Sequence, residues 1–161
     1  MGLDVSVYKN IKVTESEEDY DFTAFVIDES WLYKIKNLEV DKNYLGECTD
    51  ANVSYSYSTH SRFRCELLNL TGNLKALKEP FEIDWVQLSK NNKVPFYELI
   101  NFADNEGCLD FEISEKLYAE FIEWEEVAVK YFEDDDYFKG KYLDWLNVFK
   151  NGKDKGVVVF H

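Results

Sequence analysis

The segment LDVSVYKNIKV, residues 3–13, decides the reading of the fold. Leu3, Val5 and Val7 alternate with polar residues. Side chains in a strand point to opposite faces at successive positions, so this pattern predicts a strand with one wet face. At the far end GVVVF, 156–160, is a short unbroken apolar run and predicts a second strand. FTAFVI, 22–27, reads as a buried strand, and residues 43–50 read as loop.

Between these ends the period changes to that of a helix. Ser58 to Ser61 offer caps to a helix carrying Phe63, Leu67 and Leu70, with Gly72 placed to end it. Leu117, Phe121, Trp124, Ala128 and Phe132 recur at three- and four-residue spacing, predicting one core-packed helix over 115–131, capped by Ser114. The acidic run 133–136 breaks it and opens another helix, with Phe138, Tyr142, Trp145 and Phe149 on its apolar stripe. Residues 31–36 (WLYKIK) and 96–102 fit either a strand or a helical turn. Strands at both ends and helices clustered late predict an α+β fold. It would be a single domain, 1–161, with one mostly antiparallel sheet and helices layered on one face.

Composition limits the function classes. The 161 residues carry a net charge of −14, and 45% are hydrophobic. That content supports a sizeable core and argues against disorder. The charge repels phosphate backbones and anionic lipid, so neither nucleic acid nor a membrane surface is expected as a partner; a basic protein partner, a cation or plain solubility all fit, and solubility alone accounts for it. The start of the chain has no apolar signal core and no run is long enough for a membrane span. Cys48, Cys65 and Cys108 are odd in number, with no C-x-x-C pair. A reduced, cytoplasmic protein follows. Met1-Gly2 with Ser6 matches a myristoylation template, but the strand pattern there accounts for the same residues.

Two stretches concentrate polar chemistry. In PFYELINFADNEGCLDFEISEKL, 95–117, Asp104, Glu106 and Asp110 surround Gly107. A calcium loop with Gly107 at its sixth position would begin at Phe102 and end at Ile113, neither of them a side-chain ligand, so no metal is expected. The carboxylates form either a site or a solvated turn. In SYSYSTHSRFR, 54–64, the residues Tyr55, Tyr57, His60, Arg62 and Arg64 stand together, and Arg62 and Arg64 are the only arginines in the chain. Rigid rings with a planar fork suit a ligand pocket or a protein-contact patch. Arg62 or Arg64 pairing with Asp104 or Glu106 would join the two stretches. No nucleophile elbow accompanies His60, and no cofactor is called for.

The segments YSYS…SRFRCELLNL and PFYELINFADNEG…EKLYAEF, after the opening MGLDV, resemble a family of uncharacterised bacterial and phage-encoded proteins. Its members carry a Tyr-Ser stretch followed by an arginine, then "PF.ELI.F.D.EG" and a helix like "KL..DF". The likeness covers mainly residues 54–121, and the family's Asp-Cys-Glu-Gly is here Asp104-Asn105-Glu106-Gly107. The resemblance implies a small intracellular accessory protein borne on a phage or mobile element. Two function classes follow. One is a non-enzymatic protein that binds another protein through an acidic, aromatic surface. The other is an enzyme or small-ligand binder using Tyr55, Tyr57, His60, Arg62, Arg64, Asp104 and Glu106 in one cleft. An exposed aromatic patch rimmed by carboxylates would mark the first, and convergence on an open pocket the second.

Overall fold

The computed structural model describes residues 2–102 and 106–161. In chain order the elements are strands β1 (Gly2–Thr14) and β2 (Phe22–Thr23), a 3₁₀ helix (Glu29–Ile35), strand β3 (Asn43–Ser56) and helix α1 (Tyr57–Leu70). A short 3₁₀ turn (Leu74–Ala76), a small hairpin of β4 (Leu77–Glu79) and β5 (Glu82–Ile83), and one-turn helices α2 (Trp85–Ser89) and α3 (Tyr97–Ile100) follow. The chain ends with β6 (Gly107–Leu109), α4 (Phe111–Glu123), α5 (Glu125–Tyr131), α6 (Asp136–Gly152) and β7 (Val157–Phe160). The main sheet has the order β2-β3-β1-β7-β6, and its pairings are antiparallel. This is the α+β arrangement expected from the sequence.

Alternation in β1 divides the core. Leu3, Val5 and Val7 enter the larger cluster with Phe63, Leu117, Phe121, Tyr142, Trp145 and Phe149 from the helices. Tyr8 and Ile11 turn to the opposite face and meet Phe22, Ile35, Tyr44, Cys108, Val157 and Val159. All four residues of β7 are buried because both faces of that strand are covered, which explains its unbroken apolar run. The strand reaches the middle of the sheet, where Val5 faces Phe160.

Several local expectations need correction. Residues 43–50 are not loop but the first half of β3, paired with β1; Lys9 stands opposite Glu47 and Tyr8 opposite Cys48. Main-chain pairing and an opposite-charge pair override the polar composition. Of residues 22–27 only Phe22 and Thr23 are strand; the rest leave the sheet. The cap of α1 is Ser56, whose Oγ accepts from Thr59 N at 3.2 Å. Gly72 follows that helix at φ +73°, a left-handed conformation natural to glycine. The expected helix over 115–131 is two helices broken at Trp124, which is half-buried rather than fully packed. Glu120, Glu123 and Glu126 at three-residue spacing place like charges side by side there and weaken the continuous rod. The open cases resolve as helical: residues 29–35 form the 3₁₀ helix and 97–100 form α3.

The two edges of the sheet are treated differently. β2 covers β3 only at Asn43 and Tyr44. Farther along β3, side chains take main-chain groups: Asp21 accepts from Gly46 N at 2.8 Å and Thr49 from Ala51 N at 3.2 Å, while Lys141 donates to Ser54 O at 3.3 Å. On the opposite edge the segment 25–35 covers β6, with Cys108 N donating to Phe25 O at 3.0 Å and Asp110 N to Lys34 O at 2.8 Å. Covering an edge in these ways blunts pairing with other chains.

Candidate functional site

β3 runs directly into α1, and this junction sets the direction of each residue in the Tyr-Ser-Arg stretch. Tyr55 is the last inward residue of the strand and His60 lies in the first turns of the helix; both are buried. Tyr55 Oη lies 2.8 Å from His60 Nδ1 and accepts from Trp145 Nε1 at 2.7 Å. Donation of the phenol proton to Nδ1 satisfies the hydroxyl on both sides and puts the hydrogen of the neutral imidazole on Nε2. That Nε2 is enclosed and has no hydrogen-bond partner. Burial, with the Arg64 charge second, holds the imidazole well below its ordinary pKa, and burial drives the Tyr55 phenol up. The pair is a neutral element of the core. His60 has no exposed surface through which to serve as a base.

Arg62 and Arg64 stand two residues apart, about 200° around a helix, and so diverge. Arg64 points inward: Nη1 donates to Phe102 O at 2.9 Å and Ile100 O at 3.2 Å, and Nη2 to Ser61 Oγ at 3.3 Å. From the other side Lys34 Nζ donates to Asn101 O at 2.8 Å and Glu98 O at 3.4 Å. Two basic side chains thus take carbonyls at and just beyond the C-terminal end of α3, a one-turn helix. The start of α3 is held too, with Phe96 N donating to Glu120 Oε2 at 2.8 Å. These bonds fix Phe96 at φ +63°, a conformation rare for a bulky side chain.

Arg62 points outward. Its guanidinium lies between the rings of Phe81 and Phe138, at 5.1 and 5.0 Å from their centroids, and Nε is 3.7 Å from Glu66. Glu66 in turn accepts from Tyr131 Oη at 2.6 Å, and Tyr137 packs edge-on against Phe138. Phe81, Tyr131 and Tyr137 are 60%, 45% and 52% exposed. The contacts make one continuous surface from the β4–β5 hairpin across α1 to the α5–α6 junction, where residues 133–136 supply four carboxylates.

The fold gives the described carboxylates of the acidic stretch, Glu106 and Asp110, separate places. Asp110 is the fully buried N-cap of α4, replacing the expected Ser114 cap. Its Oδ1 accepts from Glu112 N and Ile113 N, and its Oδ2 from Asn37 N and Nδ2. Ser114 instead lies one turn inside, buried. Gly107 has φ +135°, and a Cβ there would come within 3.3 Å of Phe25 O and 3.1 Å of the Phe102 ring. Glu106 is exposed and lines a cleft of about 290 Å³ with Tyr20, Asp21, Phe25 and His161. The expectation for Asp104 lies outside the described residues. Tyr57 is half-buried against the larger core. Among the described residues no group of three His, Cys, Asp or Glu side chains is placed to hold a metal ion. No described helix is long and apolar enough to cross a membrane.

Sequence reasoning did not single out Lys34 or Phe81, read Trp145 only as part of the α6 stripe, and expected an aromatic patch on the 114–150 helices without naming Tyr131 or Tyr137. Lys34 carried a signal, a lysine inside the aromatic run WLYKIK; the exposed aromatics carried none, since nothing local marks which ring is left outside. Comparison with known proteins finds no match among family models, curated proteins or solved structures.

Proposed function

We propose that this is an acidic intracellular accessory protein, carried by a phage or other mobile element, that acts by binding a basic protein partner through the surface around Arg62. The observation that carries this reading is the continuous exposed set of Phe81, Arg62, Tyr131 and Tyr137 beside the carboxylates of 133–136. Aromatic and arginine side chains dominate binding hot spots, because they bury large area at small entropic cost. Arg62 is already immobilised by two rings, so little freedom remains to be lost on association. The acidic run favours Lys or Arg on the partner and speeds encounter. Burial of Tyr55, His60 and Arg64 weighs against a catalytic cleft built from the same stretch.

The test is retention of host-extract proteins on the immobilised wild type beside a Phe81→Ser/Tyr137→Ser variant shown to be folded by circular dichroism. The expected result is a basic protein retained by the wild type, at least tenfold depleted on the variant and released by salt. Equal retention on both surfaces refutes the reading.

A further inference from the structure

A cleft of about 400 Å³ lies between the turn that follows α1 and helix α2, and it shares no residue with the surface around Arg62. Its frame is main-chain: Asn73 N donates to Leu68 O at 2.9 Å, and Asp84 N to Ala76 O at 2.7 Å. Ala76, Leu88 and Val94 give it buried apolar wall, while Lys75, Gln87 and Lys90 line it as exposed polar residues. A cleft of this size with an apolar wall and a few polar groups is the ordinary form of a small-ligand site.

The charge of this region runs against the rest of the chain. From Thr71 to Pro95 there are four lysines and three carboxylates, a net charge of +1 in a protein of −14. Carboxylates are 32 of the 161 residues, about one in five, so ten residues drawn at that rate would include about two. The ten that line the cleft include none. Two of the three carboxylates of the region are engaged: Asp84 caps α2 by accepting from Val86 N and Gln87 N, and Glu82 lies 3.8 Å from Lys78. Among the described residues neither Lys75 nor Lys90 has a carboxylate within ion-pair distance.

We propose that this cleft is a binding site for a small organic anion, its apolar body against Ala76, Leu88 and Val94 and its carboxylate or phosphate held by Lys75 and Lys90. Lysine carries a compact charge on a flexible stem, so two of them can close on an anionic head group from either side. The −14 of the whole chain opposes an anion only weakly at this distance, because salt at physiological strength screens charges beyond about 8 Å. The apolar wall excludes a bare inorganic ion as the preferred ligand, since such an ion gains nothing from it.

Titration of the ¹⁵N-labelled full chain with phenyl phosphate and with benzoate, followed by NMR, tests the site. Both probes have an anionic head on an apolar ring, and the tighter of the two identifies the head group. Saturable shifts are expected in the amides of 72–76 and 87–94, with a Kd of about 1 mM or below for the better probe. Benzamide, the same ring without charge, should bind at least tenfold more weakly, and so should inorganic phosphate, the charge without the ring. Lys75→Gln/Lys90→Gln, two exposed positions, should weaken the better probe at least tenfold. The proposal is overturned by the absence of saturable shifts below about 10 mM, by benzamide or inorganic phosphate matching the better probe, or by undiminished binding to the double variant. The comparison of probes on the wild type stands even where the variant does not fold.

Discussion

Tyr55→Phe tests the buried polar junction between β3, α1 and α6. The ring survives, so packing against Phe63 and His60 is kept and the cavity left is only that of one oxygen. What is lost is the acceptor of Trp145 Nε1–H and the donor to His60 Nδ1, both in groups without exposed surface. Each newly unpaired buried polar atom costs about 1–3 kcal/mol. Two of them give roughly 2–6 kcal/mol, a large share of the about 5–15 kcal/mol typical of a domain. Urea denaturation at pH 7 should show the midpoint falling with an unchanged m-value. Adding Trp145→Phe should cost less in the Tyr55→Phe background than in the wild type, because the orphaned indole N–H is removed with it; a coupling of about 1 kcal/mol or more is expected. A loss under about 0.5 kcal/mol for Tyr55→Phe, or a coupling within error of zero, would refute the reasoning.

His60 should make the protein acid-sensitive. Its folded pKa is depressed, so below about pH 6.5 the unfolded chain binds the proton that the folded chain refuses. Stability should then fall as pH drops through that range, by up to about 1.4 kcal/mol per unit, and His60→Gln should flatten the slope in denaturation curves. Asp110→Ala removes the cap of α4 and the oxygen that accepts from both Asn37 N and Asn37 Nδ2. A loss of roughly 2–4 kcal/mol is expected, with calorimetry showing a clearly lower Tm; a change of about 0.5 kcal/mol would mean Asn37 and α4 find other partners.

The strands at the two ends were readable because their patterns report burial directly: alternation for β1 with a wet half, unbroken apolarity for β7. The same logic recovered α6, where four aromatic residues keep helical spacing. β3 was missed because its first half contains Gly46, Glu47 and Asp50, poor strand formers on their own, held by pairing to β1. The cap of α4 was misplaced by four residues since Asp110 and Ser114 both satisfy the local rule. Only the tertiary bond to Asn37 separates them. For the site, the two arginines were singled out together, but their spacing already implied opposite directions. The divergence of Arg62 to the surface and Arg64 to the core follows from helix geometry alone. Which aromatic rings surround Arg62 depends on the meeting of three distant elements and has no local signature.

The pairing of Val5 with Phe160 sets a timetable for the chain as it is made. β1 and the strand that pairs with it at the centre of the sheet are separated by about 150 residues of synthesis. At 5–20 residues per second the interval is roughly 8–30 s. Until then β1 can pair only with β3, and β6 has no strand to join. The nascent chain carries an apolar, half-built sheet through that interval, a state in which exposed apolar surface and unpaired strand edges invite aggregation.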